Sequence, residues 1–266
     1  MNSFKIFSYN CCSIRKNINI IRESLASDPD ILFLQETLVP DDQLAIIDYI
    51  HENYKSINIP ASYSEKSLLS FYGRPMGGLT CLYRSDVEFE FKPIYFDHSF
   101  MSINCIIDDN NILFVNCYIK SDLGTPDALH NYLQDLYSIE ENIKQLNFES
   151  IFLIGDFNAD PFIGRAWSSL SEFMIRNNLY CIDYNKLNQD TFTHVNYGTS
   201  LCKWLDHVVV GYCNTVSVGN IEVMYDMIGS DHFPIKFTIN IEPKAYKNNN
   251  KKKHIYRHWL CRLELN

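Results

Sequence analysis

The 266-residue chain is 46% hydrophobic and 14% aromatic, which excludes a disordered protein and suffices for one large α/β domain or two small ones. No apolar run approaches the roughly 20 residues that span a bilayer, and the N-terminus carries no signal-peptide pattern. The formal charge of −9 is uneven: residues 244–266 hold seven Lys/Arg and one acid, leaving residues 1–243 with 16 basic and 31 acidic side chains, a balance that counts against a plain basic-footprint nucleic-acid binder.

The elements alternate. Phe4–Tyr9 reads as a first strand, and Ile14, Ile18, Ile21 and Leu25 then repeat at helical spacing until Ser27-Asp28-Pro29-Asp30 stops the helix. Ile31–Gln35 is a fully apolar, central strand. A short helix carrying Leu44, Ile47 and Ile50 follows Pro40-Asp41, and Pro60–Pro75 is polar and loop-like. Leu79–Tyr83, Val87–Phe91, Met101–Ile107 and Ile112–Ile119 read as strands, the last two joined by a turn at Asp108–Asn111. Thr125-Pro126-Asp127 opens a helix whose buried stripe is Leu129, Leu133, Leu136, Ile139, Ile143 and Leu146. Ile151–Gly155 is another buried strand, and Trp167, Leu170, Phe173 and Met174 mark a further helix. Strands at Asp206–Val210, Val216–Met224 and Ile235–Ile241 close the domain at about residue 243. The lysine-rich stretch from Lys244 reads as a solvated linker and tail through Asn266.

Nine scattered cysteines without a C-x-x-C pair read as free thiols of a reducing compartment, cytosolic or nuclear. The chemistry-bearing residues instead cluster at strand ends. Glu36 follows Ile31–Gln35; Asp156 and Asn158 follow Ile151–Gly155; Asp206 precedes Val208–Val210; Asp231 and His232 precede Ile235. Carboxylates at apolar strand ends are costly to bury unpaired and suit a hard divalent cation with a phosphate.

Ser8-Tyr9-Asn10, Gln35-Glu36-Thr37, Asn116-Cys117-Tyr118, Gly155-Asp156-Phe157-Asn158, Trp204-Leu205-Asp206-His207 and Ser230-Asp231-His232-Phe233-Pro234 occur in the order found in the endonuclease/exonuclease/phosphatase superfamily. The chain resembles that superfamily over residues 4 to about 241. Within it, the set is most similar to the apurinic-type endonuclease domains of non-LTR retrotransposons. The resemblance implies a DNase I-like, four-layer α/β sandwich of two packed mixed sheets flanked by helices. It also implies Mg²⁺-dependent (or Mn²⁺-dependent) cleavage of DNA that nicks one strand and leaves a 3′-hydroxyl, in a domain fused to or derived from a reverse transcriptase polyprotein.

By the same resemblance, Glu36, Asn10 and Asp231 serve the metal, with Asn10 either orienting Glu36 or binding the ion. Asp156 deprotonates the attacking water, and Asn158 and Tyr118 donate to the phosphate or leaving oxygen. Asp206 holds His232, which binds the phosphate as imidazolium. Asn116, Ser121 and Ser230 contact substrate. Two positions depart from the pattern: Cys12 and Ser121 stand where relatives often carry an acidic or polar residue and Asn. Other readings stay open: a phosphatase or phosphodiesterase of the same fold acting on a lipid, an inositol phosphate or RNA, and an inactive binding relative. His207 reads as structural, and His51, His98, His130, His194, His254 and His258 carry no assigned role. The Thr191–Lys203 segment reads as a hairpin, equally consistent with a DNA-groove element and an ordinary surface loop.

Overall fold

The computed structural model of the protein describes residues 2–63, 74–87, 89–211 and 215–242. The expected tail at 244–266 lies outside them, as does the middle of the polar stretch expected at 60–75. Strands β1 (Asn2–Asn10), β2 (Ile31–Gln35), β3 (Tyr54–Ile59), β4 (Leu79–Arg84), β13 (Val216–Val223) and β14 (Ile235–Ile241) form one sheet in the order β13-β14-β1-β2-β4-β3. The second sheet contains β5 (Glu90–Phe96), β6 (Phe100–Ile107), β7 (Asn110–Tyr118), β8 (Ser150–Asp156), β9 (Tyr180–Cys181) and β12 (Asp206–Gly211), ordered β5-β6-β7-β8-β12-β9. A separate hairpin pairs β10 (His194–Asn196) with β11 (Leu201–Lys203).

Side-chain alternation along the strands builds the layers. Ile6, Ile31, Phe33, Phe114, Phe152, Ile154, Val208 and Phe237 face inward and form the core between the sheets. Their neighbours Phe7, Leu32 and Leu34 point outward onto Ile14, Ile21 and Leu25 of α1 (Ile14–Ala26). On the opposite outer face, Leu113, Val115, Ile151 and Leu153 pack with residues of α3 (Pro126–Gln145) and α4 (Arg165–Arg176). Among the described residues there are also the short helices α2 (Ala45–Asp48) and α5 (Ile182–Lys186). Three apolar clusters separated by two sheets make the four-layer sandwich that the family resemblance implied. The seven described cysteines are all free thiols.

Three local expectations change. The strand expected at Val87–Phe91 runs from Glu90 to Phe96 instead; it holds Pro93, which an edge strand such as β5 tolerates. Strand β3 was not anticipated, because only its ends, Tyr54 and Ile59, are buried. In α3, Leu133 is exposed and Tyr132 takes its place on the buried face beside Leu136, Ile139 and Ile143.

Strand direction places the chemistry. Strands β1 and β2 run parallel with Asn10 opposite Gln35, and β7 and β8 run parallel with Tyr118 opposite Asp156. Antiparallel β12 begins at that same edge with Asp206 opposite Asp156. Antiparallel β14 pairs Ile235 with Ser8, so the residues just before it lie at the end of β1. One rim of the sandwich thus collects Asn10, Glu36, Tyr118, Asp156, Asp206 and His232.

Candidate active site

Gly155 permits the tight approach at the end of β8. Its φ is 137°, and a Cβ there would lie 2.1 Å from the Cys117 carbonyl oxygen. The next residue, Asp156, is buried and held from several sides. The Asn158 backbone N–H donates to its Oδ1 at 2.8 Å, while the Asn158 and Asn10 amides donate to its Oδ2 at 3.2 and 3.0 Å. The second hydrogen of the Asn158 amide goes to the Ile119 carbonyl at 2.9 Å. Both amide hydrogens are thereby used within the protein, and one of them helps to orient Asp156. Asn158 and Glu36 both adopt left-handed backbone, φ 49° and 50°. That conformation is uncommon outside glycine and collects at functional positions.

Asn10 links the sheets. Its amide donates to Glu36 Oε1 at 2.9 Å as well as to Asp156. The Cys12 backbone N–H donates to Asn10 Oδ1 at 3.2 Å, which fixes which way the amide points. Asn10 thus bridges the two carboxylates through its amide nitrogen while its oxygen accepts from Cys12. Glu36 is half-buried and lines the same cavity as Tyr118. Burial, then the charges of Glu36 and Asp156, push the Tyr118 hydroxyl well above its ordinary pKa, so it stays a neutral donor.

His232 closes the cluster. Its Nδ1 lies 2.7 Å from Asp206 Oδ2 and its Nε2 lies 3.8 Å from Asp156 Oδ2. Burial alone would depress the imidazole pKa; Asp206 and Asp156 outweigh it and raise it, favouring imidazolium. Burial raises the carboxyl pKa of Asp156, opposed by His232 and reinforced by Asp206. Several acids converging in low dielectric call for a countercharge beyond one imidazolium. The donors are oxygens, which fits a hard divalent cation rather than a soft one.

The remaining expected residues fall in different places. The Ser230 hydroxyl donates to Asp231 Oδ1 at 3.1 Å and accepts from the His232 N–H at 3.2 Å. It braces those two groups. Asp231 is part-exposed; His194, with its Nε2 3.6 Å from Oδ2, is the main reason its carboxyl pKa falls below the ordinary range. Asn116 is fully buried between the sheets. It accepts from Gln35 Nε2 at 2.7 Å and donates to the Leu34 and Thr80 carbonyls at 3.1 and 3.2 Å. With its amide saturated, the expected substrate contact becomes an inter-sheet strut. Ser121 stands exposed on the loop after β7.

Sequence reading passed over two residues. Thr193 is fully buried, and its hydroxyl accepts from the N–H groups of Leu205 and Asp206, each at 3.0 Å, setting the start of β12. His194 has its Nε2 3.6 Å from Asp231 Oδ2 and its ring edge-on to His232, centroids 4.8 Å apart. Only the Thr191–Lys203 hairpin pattern pointed toward them. His207, read from the sequence as structural, is fully buried, and its nitrogens meet Asp183 Oδ2 at 2.8 Å and the Ala159 carbonyl at 2.7 Å.

A model of the Endonuclease/Exonuclease/phosphatase family matches residues 7–232. No curated protein matches the chain by sequence. Among solved structures, the chain is similar to the AP endonuclease LMAP from Leishmania major, with a TM-score of 0.73 at 16% identity over 90% of this chain and 88% of that one. It is also similar to the 3′-5′ exonuclease NExo from Neisseria meningitidis, with a TM-score of 0.66 at 17% identity over 90% and 99%. The endonuclease domain of TRAS1, a telomere-specific non-LTR retrotransposon, superposes with a TM-score of 0.65 at 13% identity, again over 90% and 99%. These likenesses establish a shared fold.

Proposed function

The chain belongs to the endonuclease/exonuclease/phosphatase family, and from that premise we propose that it hydrolyses phosphodiester bonds of DNA with a divalent cation, nicking one strand and leaving a 3′-hydroxyl. The observation that carries the reading is the joining of two sheets through one amide: Asn10 bonds Glu36 and Asp156 simultaneously, with His232 beside Asp156. Glu36 and Asp231 would hold the cation, Mg²⁺ or Mn²⁺. When bound, it supplies charge neutralisation at the phosphate and at the departing oxygen.

The protein's own groups do the rest. Asp156, oriented by Asn158 and Asn10, takes a proton from the attacking water as its oxygen bonds to phosphorus. Burial raises the pKa of this carboxylate, which suits a general base near neutral pH. His232, kept protonated by Asp206, donates from Nε2 to a non-bridging phosphate oxygen as negative charge builds. Tyr118 hydrogen-bonds the departing 3′-oxygen, which takes its proton from solvent. The bond broken is phosphorus to the 3′-oxygen, and the products are a 3′-hydroxyl and a 5′-phosphate.

Supercoiled plasmid incubated with Mg²⁺ tests the reading, alongside an inositol phosphate and a phospholipid diester. The expected result is nicked circles whose new ends a DNA polymerase extends. Phosphate release from inositol or lipid without nicking would move the assignment to the phosphatase branch of the same fold.

A further inference from the structure

On the face of β12 that points away from the catalytic rim lies a second group of ligand-type side chains, which the mechanism above does not use. Cys181 ends β9, Asp183 lies in the first turn of α5, and β12 runs alongside with Val209 paired to Cys181 and His207 two residues before it. A thiol, a carboxylate and an imidazole thereby converge. Cys181 Sγ lies 3.0 Å from Asp183 Oδ1 and 3.5 Å from His207 Nδ1, and that nitrogen lies 2.8 Å from Asp183 Oδ2. All three residues are buried, Asp183 and His207 completely.

Hydrogen-bond roles fix what this cluster needs. The Ala159 carbonyl can only accept, so His207 Nε2 carries a proton and donates to it at 2.7 Å. His207 Nδ1 and the Asp183 carboxylate are then two acceptors face to face, and a positive centre has to lie between them. One proton fills that role but leaves the sulfur, 3.5 Å from Nδ1, outside the bond. A metal ion would use all three groups at once. The outer contacts of such a site are already built. Nε2 is held by a carbonyl, and Asp183 Oδ1 accepts the Val208 N–H at 2.8 Å; contacts of this kind fix the orientation of metal-bound histidine and carboxylate.

Donor chemistry and charge select the ion. Sulfur with nitrogen and oxygen suits zinc, whereas an all-oxygen set suits Mg²⁺ or Ca²⁺. A divalent ion that displaces two protons, the thiol proton and the one shared by His207 and Asp183, leaves the buried cluster neutral, as it is with both protons in place. A monovalent or trivalent ion would leave a net charge inside an aromatic shell of Phe157, Trp167 and Trp204. Donors around a tetrahedral zinc stand roughly 3.4–3.6 Å apart. The spacing of Sγ and Nδ1 already matches, and the two carboxylate contacts would open by roughly 0.5 Å. A water in the fourth position would have a donor close by: Trp204 stacks on His207 with centroids 5.9 Å apart, and its buried indole N–H meets no acceptor among the described residues.

We propose that Cys181, Asp183 and His207 form a structural zinc site that clamps the β9–α5 turn onto β12, one residue behind Asp206. It is separate from the cation site at Glu36 and Asp231 and does not depend on the nuclease reading.

The test uses the full chain produced in zinc-free minimal medium with Co²⁺, so that the buried site fills as the chain folds, followed by dialysis against excess Mg²⁺. The expected spectrum carries a sulfur-to-cobalt charge-transfer band, with about one Co²⁺ retained per chain. Cys181→Ser keeps a hydroxyl for Asp183. It should lose the band and weaken zinc binding at least about tenfold, since even outer-shell groups contribute that much. Cys12→Ser, next to Glu36 in the other site, should keep both. With Mg²⁺ saturating, zinc should raise the urea midpoint of the wild type and leave that of Cys181→Ser where it is. A folded wild type without the band, or a band that survives Cys181→Ser, overturns the site. A band lost in Cys12→Ser places the ion at the rim and overturns it too. Should Cys181→Ser fail to fold, the wild type produced with zinc decides alone: folded protein that comes through the same dialysis free of zinc overturns the proposal.

Discussion

Two buried aspartate–histidine pairs sit back to back on β12. Asp206 meets His232 at 2.7 Å, and the next residue, His207, meets Asp183 at 2.8 Å. The chemical units are the same, and in both histidines partner carboxylates outweigh burial and raise the imidazole pKa. What differs is the second ring nitrogen. In His207 it is held by the Ala159 carbonyl, and the ring lies among Trp167, Trp204 and Phe157. In His232 it faces Asp156 across 3.8 Å, too long for a hydrogen bond and open to a phosphate oxygen. Pairing alone therefore does not set His232 apart from His207; its unfinished hydrogen-bond set does, and on that the proposed catalytic role rests.

The comparison breaks most sharply under alanine substitution. Asp156→Ala or His232→Ala should lower kcat for plasmid nicking at least about 10²-fold in the molecules that remain folded, since general acid–base groups contribute that much. Asp183→Asn should do the reverse. It leaves a buried imidazole without its counterion, a class of change that costs about 3 kcal/mol or more. Urea unfolding should show the loss, while the remaining folded enzyme keeps its kcat. If Asp183→Asn lowers kcat as far as His232→Ala does, the two pairs are not functionally distinct.

A pH series sharpens the same contrast. A histidine whose pKa is raised by folding contributes stability that is full below its unfolded value, about 6.5, and lost as pH climbs through the folded value. Wild-type stability should therefore decline as pH rises above about 6.5. Asp183→Asn should flatten that decline by removing the share of His207, which urea midpoints from pH 6 to 9 would show.

The contrast was partly legible before any coordinates. Apolar runs that end in Glu36 and Asp156 or begin after Asp206 announced which acids reach a sheet rim, and period-two alternation put Asp206 and His207 on opposite faces of β12. The partner of His207 was not legible. Asp183 lies in a short helix 24 residues upstream, and nothing in its local pattern marks it. Asn116 misled because motif order says which residues gather but not which side of the sheet a side chain serves; its bond to Gln35 exists only once the sheets stack. Strand β3 escaped for a related reason, since an edge strand with a polar middle lacks the burial that makes a pattern.

The smallest effect tests the collar around His232 rather than the pair itself. Ser230 spends its hydroxyl on Asp231 Oδ1 and accepts the His232 N–H, and His194 approaches the other Asp231 oxygen at 3.6 Å. Ser230→Ala removes one hydrogen bond to a charged group that is itself part-exposed, so water replaces much of it. The expected cost is about 1 kcal/mol, near the net value of a single hydrogen bond. If Asp231 holds the cation, that cost falls on metal affinity: the Mg²⁺ concentration for half-maximal nicking should rise about fivefold, with kcat at saturating Mg²⁺ nearly unchanged. If Ser230 instead serves the phosphate directly, kcat falls and the Mg²⁺ requirement stays fixed. Groups that touch the reacting atoms and groups that aim them are then separated by which parameter moves, the same division that distinguishes His232 from His207.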